Sequence, residues 1–285
     1  MDKSLRERLQ RGDTIAAPGV GDALGARLVA EAGFECVYVS GSQVAATRGW
    51  PDVGLITLTD MVQTLQLICS AVNVPVVSDA DDGYGTPINV MRTVQEYERA
   101  GAAGMHIEDQ HAHRCGSAAG VSLVPPREMC AKVAAAVDAK TNKNFVVIAR
   151  SDAANTAEGV DGTMRRGREY RKAGADAVMV HGLTTKEQMQ RCRDAIEGPL
   201  VLTIGSRVDV PLEELRRIGY QLVLYPITTL RAQVQNLRQV LATLRRNGGL
   251  DHTGPQFCPL PELQKFLGFP QYRATEQKYS KLAEE

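Results

Sequence analysis

Short apolar runs alternate with longer polar stretches along most of the chain. Four times a stretch with helical spacing ends in glycine and a brief apolar run follows. These are Ala30-Glu31-Ala32-Gly33 before Cys36–Val39, Arg99-Ala100-Gly101 before Gly104–Ile107, Lys172-Ala173-Gly174 before Ala177–Val180, and Arg217-Ile218-Gly219 before Leu222–Tyr225. Glycine tolerates the left-handed backbone that commonly closes a helix. Four further runs, Thr14–Ala17, Val74–Val77, Phe145–Ile148 and Leu200–Thr203, complete a set of eight strand candidates. Helical stretches such as Asp60–Ala71, Asn89–Ala100, Arg127–Ala139, Gly162–Ala173 and Lys186–Ile196 separate them. Strands alternating with helices predict a parallel sheet, and eight such units in about 230 residues predict a closed (β/α)₈ TIM barrel, an α/β fold. An open doubly wound sheet competes, and ranks lower because no glycine-rich dinucleotide fingerprint follows the first strand.

Beyond the eighth strand, Thr229–Arg246 reads as one helix that Asn247-Gly248-Gly249 stops. A segment with Pro255, Pro259 and Pro261 leads into an amphipathic stretch, Leu263–Phe269. The expected organisation is one barrel domain, with its core over 1–246 and a C-terminal helical extension over 247–285. Phe266, Leu267 and Phe269 in that extension need burial, on the same chain or on a neighbour.

Composition narrows the function classes. Lysine plus arginine and aspartate plus glutamate both number 33 in 285 residues, and hydrophobic residues make up 44%. No basic excess argues for nucleic acid, and no apolar run approaches a membrane span. Met1 to Arg8 is charged and lacks the apolar core of a signal peptide. The six cysteines (36, 69, 115, 130, 192 and 258) show neither zinc nor thioredoxin spacing, so they read as free thiols in a reducing compartment. The expectation is a cytoplasmic enzyme, with the mitochondrial matrix as the eukaryotic variant.

In a barrel the chemistry gathers at the C-terminal ends of the strands. The third strand runs from Val76 and Val77 into Ser78-Asp79-Ala80-Asp81-Asp82-Gly83-Tyr84-Gly85. Three acids at the mouth of a buried strand repel one another and call for a cation or a hydrogen-bonding partner; a solvated acidic turn is the plainer reading. Asp79 and Asp81 alternate along the strand end and share a side, whereas Asp82 points elsewhere. The second strand leads to Ser40-Gly41-Ser42 and on to Asp52, the fourth to His106-Ile107-Glu108-Asp109-Gln110, and the fifth to Arg150-Ser151-Asp152. The sixth ends in His181 and the seventh in Thr203-Ile204-Gly205. Carboxylates without soft donors favour Mg²⁺ or Mn²⁺ over zinc. Arg150 suits a substrate carboxylate or phosphonate, or else an ion pair with Asp152 or Glu108. In the loop after the fourth strand, His111, His113 and Cys115 stand between a soft-metal site, an ordinary polar loop, and a reactive thiol whose pKa Arg114 lowers.

Taken together, these residues resemble the isocitrate lyase/phosphoenolpyruvate mutase superfamily, closest to its 2-methylisocitrate lyase-like branch. The matching motifs are Tyr38-Val39-Ser40-Gly41-Ser42, Pro51-Asp52-Val53-Gly54, Asp79 to Gly85, Gly104 to Gln110, Arg150-Ser151-Asp152-Ala153 and Leu267-Gly268-Phe269-Pro270, spread over nearly the whole chain. The resemblance implies a barrel whose last helix is swapped between subunits of a homodimer or homotetramer. It implies Mg²⁺ near Asp79, Asp81 and Glu108, with Asp52 assisting through water. It implies that Ser40, Gly41, Ser42 and Arg150 hold a carboxylate of a 2-hydroxy or 2-keto acid, joined at the substrate by Gly116 and Thr203. The implied chemistry makes or breaks a C–C or P–C bond beside an enolate.

The departures fall on one half of the site. Lyases of this branch carry Lys-Lys/Arg-Cys-Gly-His, where this chain has His113-Arg114-Cys115-Gly116-Ser117. His181 stands where a glutamate is usual, and Thr203 and Gly205 where an asparagine and a polar partner are usual. The metal and enolate half is kept, and the half that recognises the rest of the substrate is rebuilt. The first reading is a Mg²⁺-dependent lyase for a substituted 2-hydroxy acid of the 2-methylisocitrate or dimethylmalate kind. Tyr38 deprotonates or orients the hydroxyl, Arg150 steadies the enolate, and Cys115 protonates it. His181 is a general base or donor, or fills space as a neutral ring. The second reading is a decarboxylase or hydrolase of an oxaloacetate-type 2-keto acid; phosphonate mutase chemistry is weaker. The non-enzyme reading is a catalytically silent barrel that binds a keto acid.

Overall fold

A computed structural model describes residues 4–111, 120–205, 208, 210–250 and 257–284. They fall into two compact units, Met1–Leu230 and Arg231–Glu285. The first unit opens with helix α1 (Leu5–Arg11). Then come β1 (Ile15–Val20), α2 (Ala23–Glu31), β2 (Val37–Val39), α3 (Gly41–Thr47), α4 (Leu58–Ala71), β3 (Val76–Asp79), α5 (Pro87–Ala100) and β4 (Gly104–Glu108). The second half of the barrel continues with α6 (Pro126–Ala139), β5 (Val146–Ser151), a 3₁₀ turn (Ala153–Asn155), α7 (Gly159–Lys172), β6 (Ala177–Val180), α8 (Lys186–Ala195), β7 (Leu200–Thr203), α9 (Leu212–Ile218) and β8 (Leu222–Tyr225). Helix α10 (Thr228–Asn247) carries the chain into the second unit, which also holds α11 (Leu260–Leu267) and α12 (Phe269–Glu284).

All eight strands pair in parallel in sequence order, and β8 returns to β1 from Ile15↔Leu222 to Pro18↔Tyr225, which closes the barrel. The four glycines read as helix ends adopt the expected left-handed backbone, with φ of 85° at Gly33, 94° at Gly101, 104° at Gly174 and 101° at Gly219. Thr57 with Asp60 and Thr185 with Gln188 form capping boxes that open α4 and α8. Strand β3 extends past the expected Val77 to Asp79, because Asp79 still pairs with His106 of β4. The expected amphipathic tail divides at Gly268, whose φ of 88° ends α11 before α12 begins.

The period of two along each strand separates two cores. Inside the barrel lie Ile15, Ala17, Tyr38, Val77, Val146, Ile148, Ala177, Met179, Val201, Leu222 and Leu224, with Leu5 and Leu9 of α1 in the same cluster. The intervening residues, such as Val37, Val76, Met105, Val147, Val178 and Leu202, pack outward against the helices. Counting in twos from the interior layer leads to Asp79, Arg150, His181 and Thr203 at the C-terminal rim. The alternation that fills the barrel floor therefore also aims these polar side chains into its mouth. Among the described residues no helix is long and apolar enough to cross a membrane.

Candidate active site at the barrel mouth

The loop that carries the acids is tightly wound. Among the described residues Asp81 (φ 45°) and Tyr84 (φ 60°) are the two non-glycine residues with left-handed backbone, and Gly83 and Gly85 flank Tyr84 with φ of 86° and 134°. Such conformations cost roughly 1–3 kcal/mol each and persist where surrounding contacts over-determine them. Here the backbone N–H of Asp81 donates to Asp79 Oδ1 at 3.1 Å, and that of Glu108 donates to the Asp81 carbonyl at 2.8 Å. Asp79 Oδ2 accepts from the Gly41 N–H at 3.2 Å and the Tyr38 hydroxyl at 3.3 Å. A Cβ on Gly41 would meet Asp79 Oδ2 at 3.0 Å and Asp81 Oδ1 at 3.5 Å. The bare backbone at the start of α3 is what lets both carboxylates converge there.

Glu108, fully buried at the end of β4, has Oε2 2.9 Å from Arg150 Nη1. The other edge of the guanidinium grips Asp152, with Nε 2.7 Å from Oδ2 and Nη2 2.9 Å from Oδ1. Arg150 thus forms both ion pairs that the sequence offered as alternatives to substrate binding. Burial pushes the Asp152 carboxyl up, but Arg150 and then His181 outweigh it and hold it at about 2. His181 Nδ1 lies 2.7 Å from Thr203 Oγ1, and its Nε2 lies 3.8 Å from Asp152 Oδ1. Partial desolvation of a side chain still 30% exposed, and then Arg150, lower the imidazole to about 4, so His181 is neutral at physiological pH. Burial and the Asp79 charge push the Tyr38 phenol well up, so it keeps its proton and serves as a donor rather than a base.

Three carboxyl groups (Asp152, Glu108 and Asp79) thus act on one guanidinium, Arg150, and Asp81 stands with Asp79 at Gly41. The donor set is all oxygen and rich in negative charge, which fits a hard divalent cation. Among the described residues no three His, Cys, Asp or Glu side chains are arranged to hold a metal ion unaided. Mg²⁺ keeps several waters and takes one or two protein carboxylates. Asp52 lines a small pocket together with Gly41 and Asp81. Ser40 Oγ and Ser42 Oγ are 2.8 Å apart beside Gly41. Cys115 and Gly116, with His113 and Arg114, lie outside the described residues. His111 is described; its side chain is exposed, and its N–H donates to the Ser122 carbonyl.

Three groups escaped the sequence reading. His106 Nε2 lies 2.9 Å from the Tyr38 hydroxyl inside the barrel, and the period of two along β4 pointed to it. Asp109, one residue past Glu108 and on the opposite parity, faces outward and accepts from Asp152 N–H (2.9 Å), Ser151 Oγ (3.0 Å), Tyr170 OH (2.7 Å) and Arg166 (3.4 Å). Lys132 is buried on α6 beside Met129, Val133 and Ala136, a lysine on an apolar helix face. Three of the other cysteines are held as thiols; Cys36 and Cys192 are buried and Cys69 is half-buried. Burial raises Cys36 and Cys69 to about 12 and Cys192 to about 11.

Comparison with known proteins extends these observations. The profile of a family described as Phosphoenolpyruvate phosphomutase matches residues 5–245. The chain is 34% identical over 281 residues to 2,3-dimethylmalate lyase of Eubacterium barkeri, covering 97% of each chain. It is 36% identical over 280 residues to probable 2-methylisocitrate lyase 2 of Corynebacterium glutamicum, covering 97% of this chain and 91% of that one. A solved structure of phosphonopyruvate hydrolase in complex with oxalate and Mg²⁺ superposes with a TM-score of 0.89 at 30% identity, over 96% of this chain and 97% of the other.

Proposed function

Since the chain belongs to the phosphoenolpyruvate phosphomutase family, within the isocitrate lyase/phosphoenolpyruvate mutase superfamily, we propose that it is a carbon–carbon lyase. Its substrate is a substituted 2-hydroxy acid of the dimethylmalate or 2-methylisocitrate kind, the compounds named for its relatives. The observation that carries this reading is the gathering of Asp79, Asp81, Glu108 and Arg150 at the ends of β3, β4 and β5. A bound Mg²⁺ or Mn²⁺ would be held through Asp79 and Asp81, with Glu108 and Asp52 close by, and would supply Lewis-acid stabilisation of charge on the substrate oxygens.

The chain's own groups divide the remaining work. Nε and Nη2 of Arg150 donate to Asp152, and Nη1 is ion-paired with Glu108, so the guanidinium has further N–H groups to reach a substrate carboxylate. Ser40, Gly41 and Ser42 border the same carboxylate. Tyr38, which keeps its proton, orients the substrate hydroxyl. That hydroxyl gives its proton to solvent as the bond between C2 and C3 breaks. The electron pair passes into an enolate on the leaving fragment, and the Cys115 thiol protonates its carbon. The products are a 2-keto acid and a carboxylic acid. Thr203 and His181 face the part of the substrate remote from the carboxylates, and Gly116 follows Cys115 in the sequence.

A second reading is hydrolysis or decarboxylation of a 2-keto acid on the same half-site. The similarity to a hydrolase structure that holds oxalate and Mg²⁺ favours it. A homodimer or homotetramer with exchanged C-terminal helices accompanies either reading. Its support is the stripe of exposed Val234, Leu237, Leu241 and Leu244 along α10, spaced to share one helix face. The deciding experiment is a screen of 2-hydroxy and 2-keto diacids with Mg²⁺, following pyruvate, glyoxylate and CO₂. Release of a keto acid from a 2-hydroxy acid supports the lyase. Turnover of 2-keto acids alone moves the assignment to the second reading, and Mg²⁺-dependent oxalate binding without turnover leaves a silent barrel.

A further inference from the structure

We propose that Lys132, on the buried face of α6, is a positioning residue that fixes the carboxylate loop for metal binding. Lysine is almost never buried without a partner, and Lys132 is 3% exposed. Its ammonium donates to the Asp82 carbonyl at 2.8 Å and lies 3.6 Å from Asp82 Oδ2.

The reason for this arrangement lies in the backbone of the loop. From Asp79 to Gly83, five consecutive carbonyls each receive a donor. The Tyr97 hydroxyl binds Asp79 O at 2.8 Å, and the Gly83 N–H binds Ala80 O at 2.7 Å. The Glu108 N–H binds Asp81 O at 2.8 Å, Lys132 binds Asp82 O, and the Thr93 hydroxyl binds Gly83 O at 3.2 Å. Lys132 is the one charged donor in this series. It grips the peptide that joins left-handed Asp81 to left-handed Gly83 through Asp82. It also sets a positive charge beside Asp82, which relieves repulsion along Asp79-Ala80-Asp81-Asp82. Four of the five donors come from β4 and α5 or from the loop itself. Lys132 alone ties the loop to α6, the helix on the far side of β4. Groups that orient metal ligands without touching the metal commonly change affinity by about 10–100-fold when removed.

The inference rests on the proposed cation site at Asp79 and Asp81, and one titration separates the two. Wild-type protein is titrated with Mn²⁺ alone, read by electron paramagnetic resonance of the free ion, beside Lys132→Met, Lys132→Gln and Lys132→Arg. Saturable Mn²⁺ binding by the wild type, abolished by Asp81→Asn, establishes the site; without it the cation reading itself falls. Given the site, Lys132→Met is expected to bind Mn²⁺ about tenfold more weakly, measured well below its unfolding temperature. Lys132→Arg, which keeps charge and reach, restores affinity to within about twofold on the same basis. A purely structural lysine lowers the unfolding temperature of Lys132→Met and leaves Mn²⁺ affinity at the wild-type value, which overturns the proposal. If the methionine variant does not fold, Lys132→Gln decides in its place by the same two outcomes.

Discussion

Arg150 and Asp152 face each other edge to edge across the end of β5, with contacts of 2.7 and 2.9 Å between two side chains that are almost wholly buried. This pairing presets the guanidinium plane, because Asp152 is itself held by the N–H bond to Asp109 behind the strand. Lysine carries the same charge as a point and cannot reproduce the fork. Arg150→Lys is therefore expected to fold and to lose about 10²–10³ in kcat/KM, the scale of removing one aimed donor from a developing oxyanion. Its oxalate affinity in the presence of Mg²⁺ falls as well. Steady-state kinetics and calorimetry check this, and a variant as active as the wild type would remove Arg150 from the substrate.

Cys115 is the acid assigned to the lyase reading. It protonates the departing enolate there, whereas in decarboxylation or hydrolysis at the same half-site the carbon can take its proton from solvent. Cys115→Ser is expected to lower cleavage of the 2-hydroxy acid by about 10²–10⁴, the usual worth of a positioned acid. Mg²⁺-dependent oxalate binding is expected to stay at the wild-type value, because a hard divalent cation prefers oxygen ligands to a thiol. Undiminished cleavage in that variant would remove Cys115 as the acid that protonates the enolate.

Much of this site is legible in the chain because one physical rule, the period of two along a buried strand, governs both core and mouth. Val77 fills the interior, so Asp79 faces it too, and the same parity leads from Ile148 to Arg150 and from Val201 to Thr203. The left-handed backbone of Asp81 was not legible, since aspartate tolerates that conformation without demanding it. The two roles of Arg150 looked like alternatives in the sequence. They coexist because one guanidinium has donors enough for two carboxylates and a ligand. Lys132 left a trace as a cation on the apolar face of α6. Its partner is a backbone carbonyl some fifty positions earlier, and a residue pattern cannot announce a carbonyl.

His181 gives the site a predictable response to acid. Its imidazole, held at about 4 by burial and then by Arg150, titrates at 6.5 when released. Between those values the unfolded chain binds a proton that the folded chain refuses, so stability falls as pH drops from 6.5 towards 4. The loss is about 3 kcal/mol at most, and above 6.5 the group contributes no pH dependence. Asp152 acts in a lower window. Held at about 2 despite burial, against an ordinary value of 3.8, it adds stability above 3.8 that is lost as pH falls through 2. Urea midpoints measured at pH 7, 5.5 and 4.5 should therefore decline steadily in the wild type. His181→Asn keeps a polar group near Thr203 but cannot titrate. Its midpoints are expected to stay nearly level across the same range and to drop only in the window of the carboxylates. If wild type and variant decline in parallel, the proton is taken up elsewhere and His181 is not held neutral by its surroundings.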